Sequence, residues 1–458
     1  MNQQENKRLR SRHLFSPDVS TTDCKSGVVS IENHDTASRH LFSPGSLTIG
    51  RRSRVKMKGN TMDKPAIAGG TPVRSERINY GRQYIDEADI EAVVSVLKSD
   101  YLTCGPQISA LEEKLCQITG AKYAVVCANG TAALHMACLA AGVTEGDEVI
   151  TTPLTFAASG NCALYCGAKP VFADIRPDTY NISPAAVETC ITKKSKALIA
   201  VDYTGQSAEL GELSAICRKN QMVFIEDGAH VIGTKYKGKV NGSIADMTTF
   251  SFHPVKTVTS GEGGAVLTNS EDYYRKLVLA REHGITRRAD LQEKPSHGAW
   301  YYEQIFLGYN YRLTDIQAAL LSSQLDKLTL FSKQRKEIVA QYEKAFHGLK
   351  GIGLQKEIPE SDTTRHLYII RILAESLTIG RREFFDALAA ENIYCNVHYI
   401  PVYYHPYYEK LGYEKGLCPI AEQIYEEIIS LPLFYGMTDG DVADVIKAVK
   451  RIALYYAK

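Results

Sequence analysis

Short apolar runs that alternate with helix-like stretches are the feature of this sequence that most restricts its fold. Each run is rich in Val, Ile, Ala and Phe, ends in polar residues, and is followed by a segment with helical spacing of apolar side chains. Strands separated by helices pair in parallel, because the helix carries the chain back across the sheet. The clearest predicted strands are 122–129, 148–152, 169–175, 196–203 and 222–227. The pattern predicts an α/β fold with a large, mostly parallel sheet covered on both faces.

The chain divides into three parts by composition. Residues 1–61 lack apolar periodicity and contain the heptapeptide SRHLFSP twice, so we expect a disordered leader. The alternatives are a docking motif in the repeated heptapeptide, or translated upstream sequence if the true start is Met57 or Met62. Residues 62–313 carry the alternating pattern and are predicted to form the large domain. Residues 314–458 are expected to form a long linking helix and a smaller C-terminal α+β domain.

Charge and cysteine content exclude several classes of function. The 53 basic and 52 acidic side chains nearly cancel, so no global field favours nucleic acid or an anionic membrane surface. No apolar run reaches the length of a membrane span, and the first residues lack a signal-peptide pattern. The 11 cysteines show no disulfide framework and no metal-ligand spacing, which favours a cytoplasmic protein without a metal site.

Polar residues at the ends of predicted strands are the candidates for chemistry, because open α/β sheets bind ligands at the carboxyl ends of their strands. Gly130 and Thr131 open a predicted helix, and a helix N-terminus attracts an anion such as a phosphate. Phe156 follows another strand and carries a ring able to stack on a planar group. Singly, these residues are also consistent with a helix cap and a core aromatic.

The segment 251–269, SFHPVKTVTSGEGGAVLTN, places one lysine, Lys256, in an apolar strand–turn setting. Lysine is rare there unless it is paired or used as an amine, and a desolvated amine can form a Schiff base. Asp227 ends an apolar run, where a carboxylate needs a partner or caps a helix. As a set, these residues match pyridoxal 5′-phosphate, which needs a phosphate site, a stacking ring, an acid for its ring nitrogen and a lysine for its aldehyde. The matching residues are Gly130, Thr131 and Ser251, then Phe156, Asp227 and Lys256.

Four stretches of the chain carry a resemblance to a known family. NGTAALH (129–135), EDGAH (226–230), SFHPVKTVTSGEGGAV (251–266) and GYNYRLTDIQAAL (308–320) resemble the DegT/DnrJ/EryC1/StrS family of nucleotide-sugar aminotransferases. The resemblance extends from about residue 64 to the C-terminus and implies the pyridoxal-phosphate-dependent transferase fold type I. A narrower resemblance, to one group within the family, rests on YLTCGPQISALEEKL, VDYTGQS, VHYIPVYYHPYY and ISLPLF. There the chain looks like the UDP-4-amino-4,6-dideoxy-N-acetyl-β-L-altrosamine transaminases of pseudaminic acid synthesis.

The resemblance implies a role for each candidate residue. Lys256 would be the catalytic residue, and it argues against dehydration because members that remove a hydroxyl carry histidine there. The residues implied in cofactor binding are Gly130, Thr131, Phe156, Asp227, His230, Ser251, Lys256 and Asn310. Those implied in substrate binding are Tyr80, Asp100, Tyr101, Leu102, Thr103, Asn129, Ser251, Asn310, His398, Tyr399, Ile400 and Pro401. Asn310 would reach the site of a neighbouring subunit, so a homodimer with shared active sites is implied.

The implied reaction moves an amino group from an amino acid, expected to be L-glutamate, to C4 of a UDP-4-keto-6-deoxy-N-acetylhexosamine. Three alternatives stay open. The first is an aminotransferase for another nucleotide keto-sugar, at C3 or C4, and the second is a different pyridoxal enzyme such as a dehydratase or racemase. The third is a regulator that keeps the fold without turnover, against which the intact Lys256 and Asp227 count.

Overall fold

The computed structural model describes residues 63–458. The leader predicted for 1–61 lies outside this part of the chain. The described residues fall within one compact unit, and the predicted division between 62–313 and 314–458 stays a prediction.

A seven-stranded sheet forms the centre of the N-terminal two thirds of the described chain. Its strands are β1 (Tyr123–Cys127), β2 (Glu148–Thr151), β3 (Lys169–Phe172), β4 (Ser195–Val201), β5 (Val223–Asp227), β6 (Met247–Ser251) and β7 (Gly264–Thr268). They lie in the order β1-β7-β6-β5-β4-β2-β3, and only β7 runs antiparallel to its neighbours. The strands consist mainly of buried apolar residues, as a sheet covered on both faces requires. The predicted α/β class is confirmed.

Helices cover this sheet and build the C-terminal part. Within residues 63–458 they are α1 (Glu87–Leu97), α2 (Pro106–Thr119), α3 (Gly130–Ala140), α4 (Ala158–Tyr165), α5 (Pro184–Cys190), α6 (Leu210–Lys219), α7 (Glu271–Arg281), α8 (Asp315–Asp326), α9 (Leu328–Phe346), α10 (Arg381–Ala390), α11 (Pro406–Lys410), α12 (Pro419–Glu427) and α13 (Asp439–Tyr455). α3 is rich in Ala and other small apolar residues and is buried on nearly all sides. It can therefore pack closely between β6 and β7 on one side and α7 on the other.

The predicted long linking helix is wrong in detail, because two consecutive helices, α8 and α9, occupy this region. They are separated at Lys327, whose amine forms ion pairs with Asp86 and Asp89 at the start of α1. Lys327 thus pairs with two carboxylates at the start of α1, and these ion pairs stabilise the chain at the point where the helix is interrupted.

A small antiparallel sheet, β8 (Ile352–Leu354), β9 (Tyr368–Ile372) and β10 (Ile428–Leu431), lies in the C-terminal part with β9 in the middle. Its apolar face shares a core with buried residues of α9, α10 and α13, such as Tyr342, Phe384 and Val445. Two-residue strands are Ile78–Asn79 with Ile393–Tyr394, Ile285–Thr286 with Glu303–Gln304, and Lys235–Tyr236 with Lys239–Val240 and Ser361–Asp362. Single 3-10 turns are Ala66–Ala68, Tyr203–Gly205, Ala289–Leu291 and Val402–Tyr404. Over residues 63–458, no helix combines the length and the apolar character that crossing a membrane demands.

Candidate active site

Gly130, the first residue of α3, lies directly against Ser251, the last residue of β6. A Cβ atom at position 130 would stand 2.8 Å from the Ser251 Cβ, so only glycine allows this approach. Asn129 caps the helix, because its side chain accepts a 2.9 Å hydrogen bond from the Ala132 amide. Thr131 follows in the same first turn, where free amides and the helix dipole present positive charge. The structure thus gathers the predicted phosphate-binding residues at one edge of the sheet.

Asp227, at the end of β5, is buried and held at both carboxylate oxygens. Ser159 donates a 2.7 Å hydrogen bond to Oδ2, and the Ala229 amide donates a 3.2 Å bond to Oδ1. Burial raises the pKa of Asp227, while the two hydrogen bonds and the charge of Lys256 act in the opposite direction. In the described chain no helix begins directly after Asp227, so the alternative of a helix cap is wrong.

Lys256 lies partly buried in the turn that follows β6. Its backbone amide donates a 2.9 Å hydrogen bond to the His253 carbonyl, which closes the turn. Burial lowers the pKa of the Lys256 amine to about 8, although the charge of Asp227 opposes this change. A substantial fraction of the amine is therefore neutral in mildly alkaline solution, as a nucleophile must be.

Three histidines, His230, His366 and His398, lie close to Lys256, and we refer to them as the histidine group. The rings of His230 and His366 are 4.3 Å apart between centres. Burial is the main cause that lowers the pKa of all three imidazoles, that of His398 to about 4, and the charge of Lys256 contributes in each case. At neutral pH each imidazole is therefore uncharged, with one donor and one acceptor nitrogen.

Two nitrogens of the histidine group are left for a further partner. Nε2 of His230 lies 3.2 Å from the Tyr399 hydroxyl. By contrast, Nδ1 of His230 and Nδ1 of His366 are buried and have no hydrogen-bond partner among residues 63–458. Because unpaired buried polar atoms are costly, they mark a place where a polar ligand beside Lys256 would complete the hydrogen bonding.

Phe156 projects from the loop after β2 and is 62% exposed, so the alternative of a core aromatic is wrong. Its ring centre lies 6.4 Å from that of Tyr399. The Val402 amide donates a 3.0 Å hydrogen bond to the Pro153 carbonyl, which holds the segment 398–401 beside this loop. The exposed ring of Phe156 therefore stands beside Tyr399, which in turn contacts His230, and it is free to stack on a planar ligand.

The C-terminal residues predicted on the substrate side lie around His398. The ring of Tyr80 is centred 5.2 Å from the ring of His398, and Nδ1 of His398 lies 2.8 Å from the Ser430 hydroxyl. Ile400 is exposed and Pro401 is buried. The structure thus brings Tyr80, from the N-terminal part, and the predicted residues 398–401, from the C-terminal part, to the edge of the histidine group.

The segment 100–103 and Asn310 lie apart from Lys256 and the histidine group. Thr103 forms a bridge with Thr314, at the start of α8. Asn310 is exposed, and its neighbour Tyr311 accepts a 2.8 Å hydrogen bond from the Ala128 amide, after β1. In the part of the chain that the structure covers, no hydrogen bond or ring contact joins either of them to Lys256 or the histidine group. Their substrate roles, and the role of Asn310 in a neighbouring subunit, stay predictions.

Four features of the site fit pyridoxal phosphate. They are a close-packed cradle at a helix N-terminus, a carboxylate fixed by hydrogen bonds, a lysine of lowered pKa and an exposed aromatic ring. Residues 83–450 match the DegT/DnrJ/EryC1/StrS aminotransferase family. The chain belongs to this family. As a member of it, the protein is a pyridoxal-phosphate-dependent aminotransferase of nucleotide sugars, and the predicted fold type, cofactor and enzyme class are confirmed.

Three proteins illustrate how close the similarity is. The UDP-4-amino-4,6-dideoxy-N-acetyl-beta-L-altrosamine transaminase of Campylobacter jejuni is 39% identical over 367 residues, covering 80% of this chain and 94% of that relative. The putative sugar aminotransferase Spr1654 of Streptococcus pneumoniae, in its PLP form, has a TM-score of 0.77 at 32% identity over 83% of this chain and 99% of its own. Helicobacter pylori PseC, an aminotransferase of pseudoaminic acid biosynthesis, has a TM-score of 0.77 at 31% identity, covering 83% of this chain and 100% of PseC.

Sequence reasoning missed three polar residues near the site of this aminotransferase. Ser159 donates a hydrogen bond to Asp227, Thr155 contacts Ser159, and His366 belongs to the histidine group. Thr155 and Ser159 flank Phe156 at the end of a strand and could have been found by the rule that located Phe156. His366 offers no such signal, because it precedes β9 in the C-terminal part and approaches Lys256 only through the fold.

Proposed function

We propose that this aminotransferase moves an amino group from L-glutamate to C4 of a UDP-4-keto-6-deoxy-N-acetylhexosamine. The observation that carries the proposal is the 39% identity to the Campylobacter jejuni transaminase over 94% of that relative. The similarity to PseC of Helicobacter pylori over the whole of that chain supports the same substrate class.

We assign the cofactor end of the site as follows. Asp227 would hold a proton on the ring nitrogen, Phe156 would stack on the ring, and His230 would offer its unpaired Nδ1 to a polar substituent. Gly130, Thr131 and Ser251 would hold the phosphate, and Asn310 would be contributed by a neighbouring subunit of a homodimer. When bound, pyridoxal phosphate withdraws electrons from the carbon that bears the amino group and carries this group from donor to acceptor.

Lys256 is assigned both the attachment of the cofactor and the transfer of protons. Its amine, with a pKa of about 8, is basic enough to take a proton from Cα of the donor and acidic enough to return it. In the second half of the reaction the same amine delivers a proton to C4 of the sugar. The uncharged histidine group does not compete for this proton at neutral pH.

The substrate side is assigned to the residues predicted from the sequence, and we infer that they bind the sugar nucleotide. They are Tyr80, Asp100, Tyr101, Leu102, Thr103, Asn129, Ser251, Asn310, His398, Tyr399, Ile400 and Pro401. The position of Tyr80, His398 and Tyr399 beside Phe156 and Lys256 supports the assignment. The cytoplasmic location expected from the cysteine content stays a prediction.

A panel of UDP- and TDP-linked 3-keto and 4-keto sugars, incubated with L-glutamate, tests the proposal. We expect 2-oxoglutarate to form in stoichiometric amounts only with the UDP-4-keto-6-deoxy-N-acetylhexosamine, with the new C–N bond at C4 by NMR. Amination of another keto-sugar would support the first alternative instead. Failure to release 2-oxoglutarate even in a single turnover with glutamate alone would support the regulator or a different pyridoxal enzyme.

A further inference from the structure

A buried chain of hydroxyl groups leads from the loop after β2 to Asp227. Thr155 Oγ1 lies 2.9 Å from Ser159 Oγ, and Ser159 Oγ lies 2.7 Å from Asp227 Oδ2. The exposed fractions are 3% for Thr155, 1% for Ser159 and 5% for Asp227. Water therefore does not compete for these hydrogen bonds, and each of them acts at the strength of a buried contact.

The protonation state of Asp227 sets the direction of this chain. A serine hydroxyl has one proton, so a Ser159 that donates to an ionised Asp227 accepts its second bond from Thr155. If Asp227 were protonated, its own proton could point at Ser159 and the direction would reverse. The Ser159 bond therefore favours the ionised carboxylate and opposes the effect of burial on the pKa of Asp227.

The first turn of α4, which carries Ser159, is fixed from the opposite side. A Cβ atom on Gly160 would lie 2.6 Å from the Tyr408 hydroxyl, and that hydroxyl donates a 2.8 Å hydrogen bond to Asn161 Oδ1. Thr155 in turn precedes the exposed ring of Phe156. The turn thus connects the loop that carries Phe156 with the carboxylate of Asp227 through short, buried contacts.

We propose that Ser159 is a positioning residue that keeps Asp227 ionised and oriented, and that Thr155 fixes the direction of its hydroxyl. The inference rests on one part of the proposed function, the placement of Asp227 at the ring nitrogen of pyridoxal phosphate. It does not depend on the identity of the sugar. It adds two residues that act through Asp227 rather than on the substrate.

The test compares the holoenzyme variants Ser159→Ala, Ser159→Thr and Thr155→Val with the natural protein. Four quantities are measured without any sugar: cofactor retention on dialysis, the visible absorption of the bound cofactor against pH, the single-turnover rate with L-glutamate against pH, and the thermal midpoint. Because one hydrogen bond to a charged group is lost, we expect Ser159→Ala to slow the single turnover by roughly tenfold to a hundredfold. The acidic limb of its pH–rate profile, where the single-turnover rate falls as pH decreases, should move to higher pH, since Asp227 then takes up a proton more readily.

Ser159→Thr should restore the acidic limb and most of the rate, and Thr155→Val should shift the limb in the same direction by less. A Ser159→Ala enzyme with an unchanged acidic limb and a rate within about twofold of normal would overturn the inference. So would a Ser159→Thr enzyme that restores the thermal midpoint but not the acidic limb. A Lys256→Ala variant that keeps the visible absorption would overturn the assigned cofactor site itself, and failure of every sugar to react would overturn only the assigned substrate.

Discussion

Replacing Lys256 by methionine should stabilise the cofactor-free protein in a way that depends on pH. Burial lowers the pKa of this amine from 10.5 to about 8, and each tenfold change in acidity corresponds to about 1.4 kcal/mol. The charged amine therefore costs the fold up to about 3 kcal/mol. This cost already includes the attraction of Asp227, which partly offsets the effect of burial on the pKa, so we expect Lys256→Met to gain about 1–3 kcal/mol at pH 7.

The pH dependence gives the sign of the effect. Below pH 8 both the folded and the unfolded chain carry the protonated amine, so the cost is fully present. Between pH 8 and 10.5 only the unfolded chain keeps the proton, so the natural protein becomes more stable as pH rises. The advantage of Lys256→Met should therefore be constant below pH 8 and disappear by about pH 10.5.

Thermal denaturation of the cofactor-free proteins at intervals from pH 6.5 to about 10.5 measures this difference. The matched control is Lys219→Met, which removes a lysine that is 75% exposed on its side chain and should show no such advantage. A Lys256→Met variant that is less stable than the natural protein at pH 7, or whose advantage is the same at pH 10.5, would refute the reasoning about burial.

Three further predictions concern the same edge of the sheet. Asp227→Asn should lower the single-turnover rate with glutamate by at least about a hundredfold while the thermal midpoint changes little; equal losses would indicate a structural carboxylate. Gly130→Ala should weaken cofactor retention and destabilise by about 1–3 kcal/mol, because its Cβ would stand 2.8 Å from that of Ser251; normal retention in dialysis would contradict the cradle. Burial beside the Glu226 carboxylate raises the pKa of Asp202, so stability should fall as pH rises above 3.8. Asp202→Asn should therefore gain stability at pH 8 and lose the gain in acid, and melting curves with no pH-dependent difference would exclude this explanation.

The strands, and the functional residues at their carboxyl ends, could be predicted because both depend on residues that are close together in the sequence. Apolar runs of β-branched residues form strands wherever they are buried, and the rule that ligands bind at the carboxyl edge directs attention to Asp227 and Lys256. The same reasoning failed where a local pattern is compatible with either one long helix or two shorter ones. The helical spacing after residue 314 predicts one helix, yet the chain forms two, and at the break Lys327 makes ion pairs with Asp86 and Asp89 from a distant part of the chain.

The histidine group shows the limit of such prediction. The family resemblance named His230 and His398, whereas nothing in the sequence pointed to His366, which comes with His398 from the C-terminal part. Their proximity to Lys256 depends on the packing of β9 and of the segment 398–401 against the large sheet. No periodicity or spacing contains that information, because it joins residues more than a hundred positions apart.

Sequence alone determined the α/β class, the family and the residues available for pyridoxal phosphate, because strand periodicity and short motifs depend on near neighbours in the chain. Tertiary structure decided their electrostatic state. The amine of Lys256 has a pKa of about 8, and the carboxylate of Asp227 is held by Ser159, since burial and partners from distant segments set both. Desolvation acts on a residue only after the rest of the chain has folded around it.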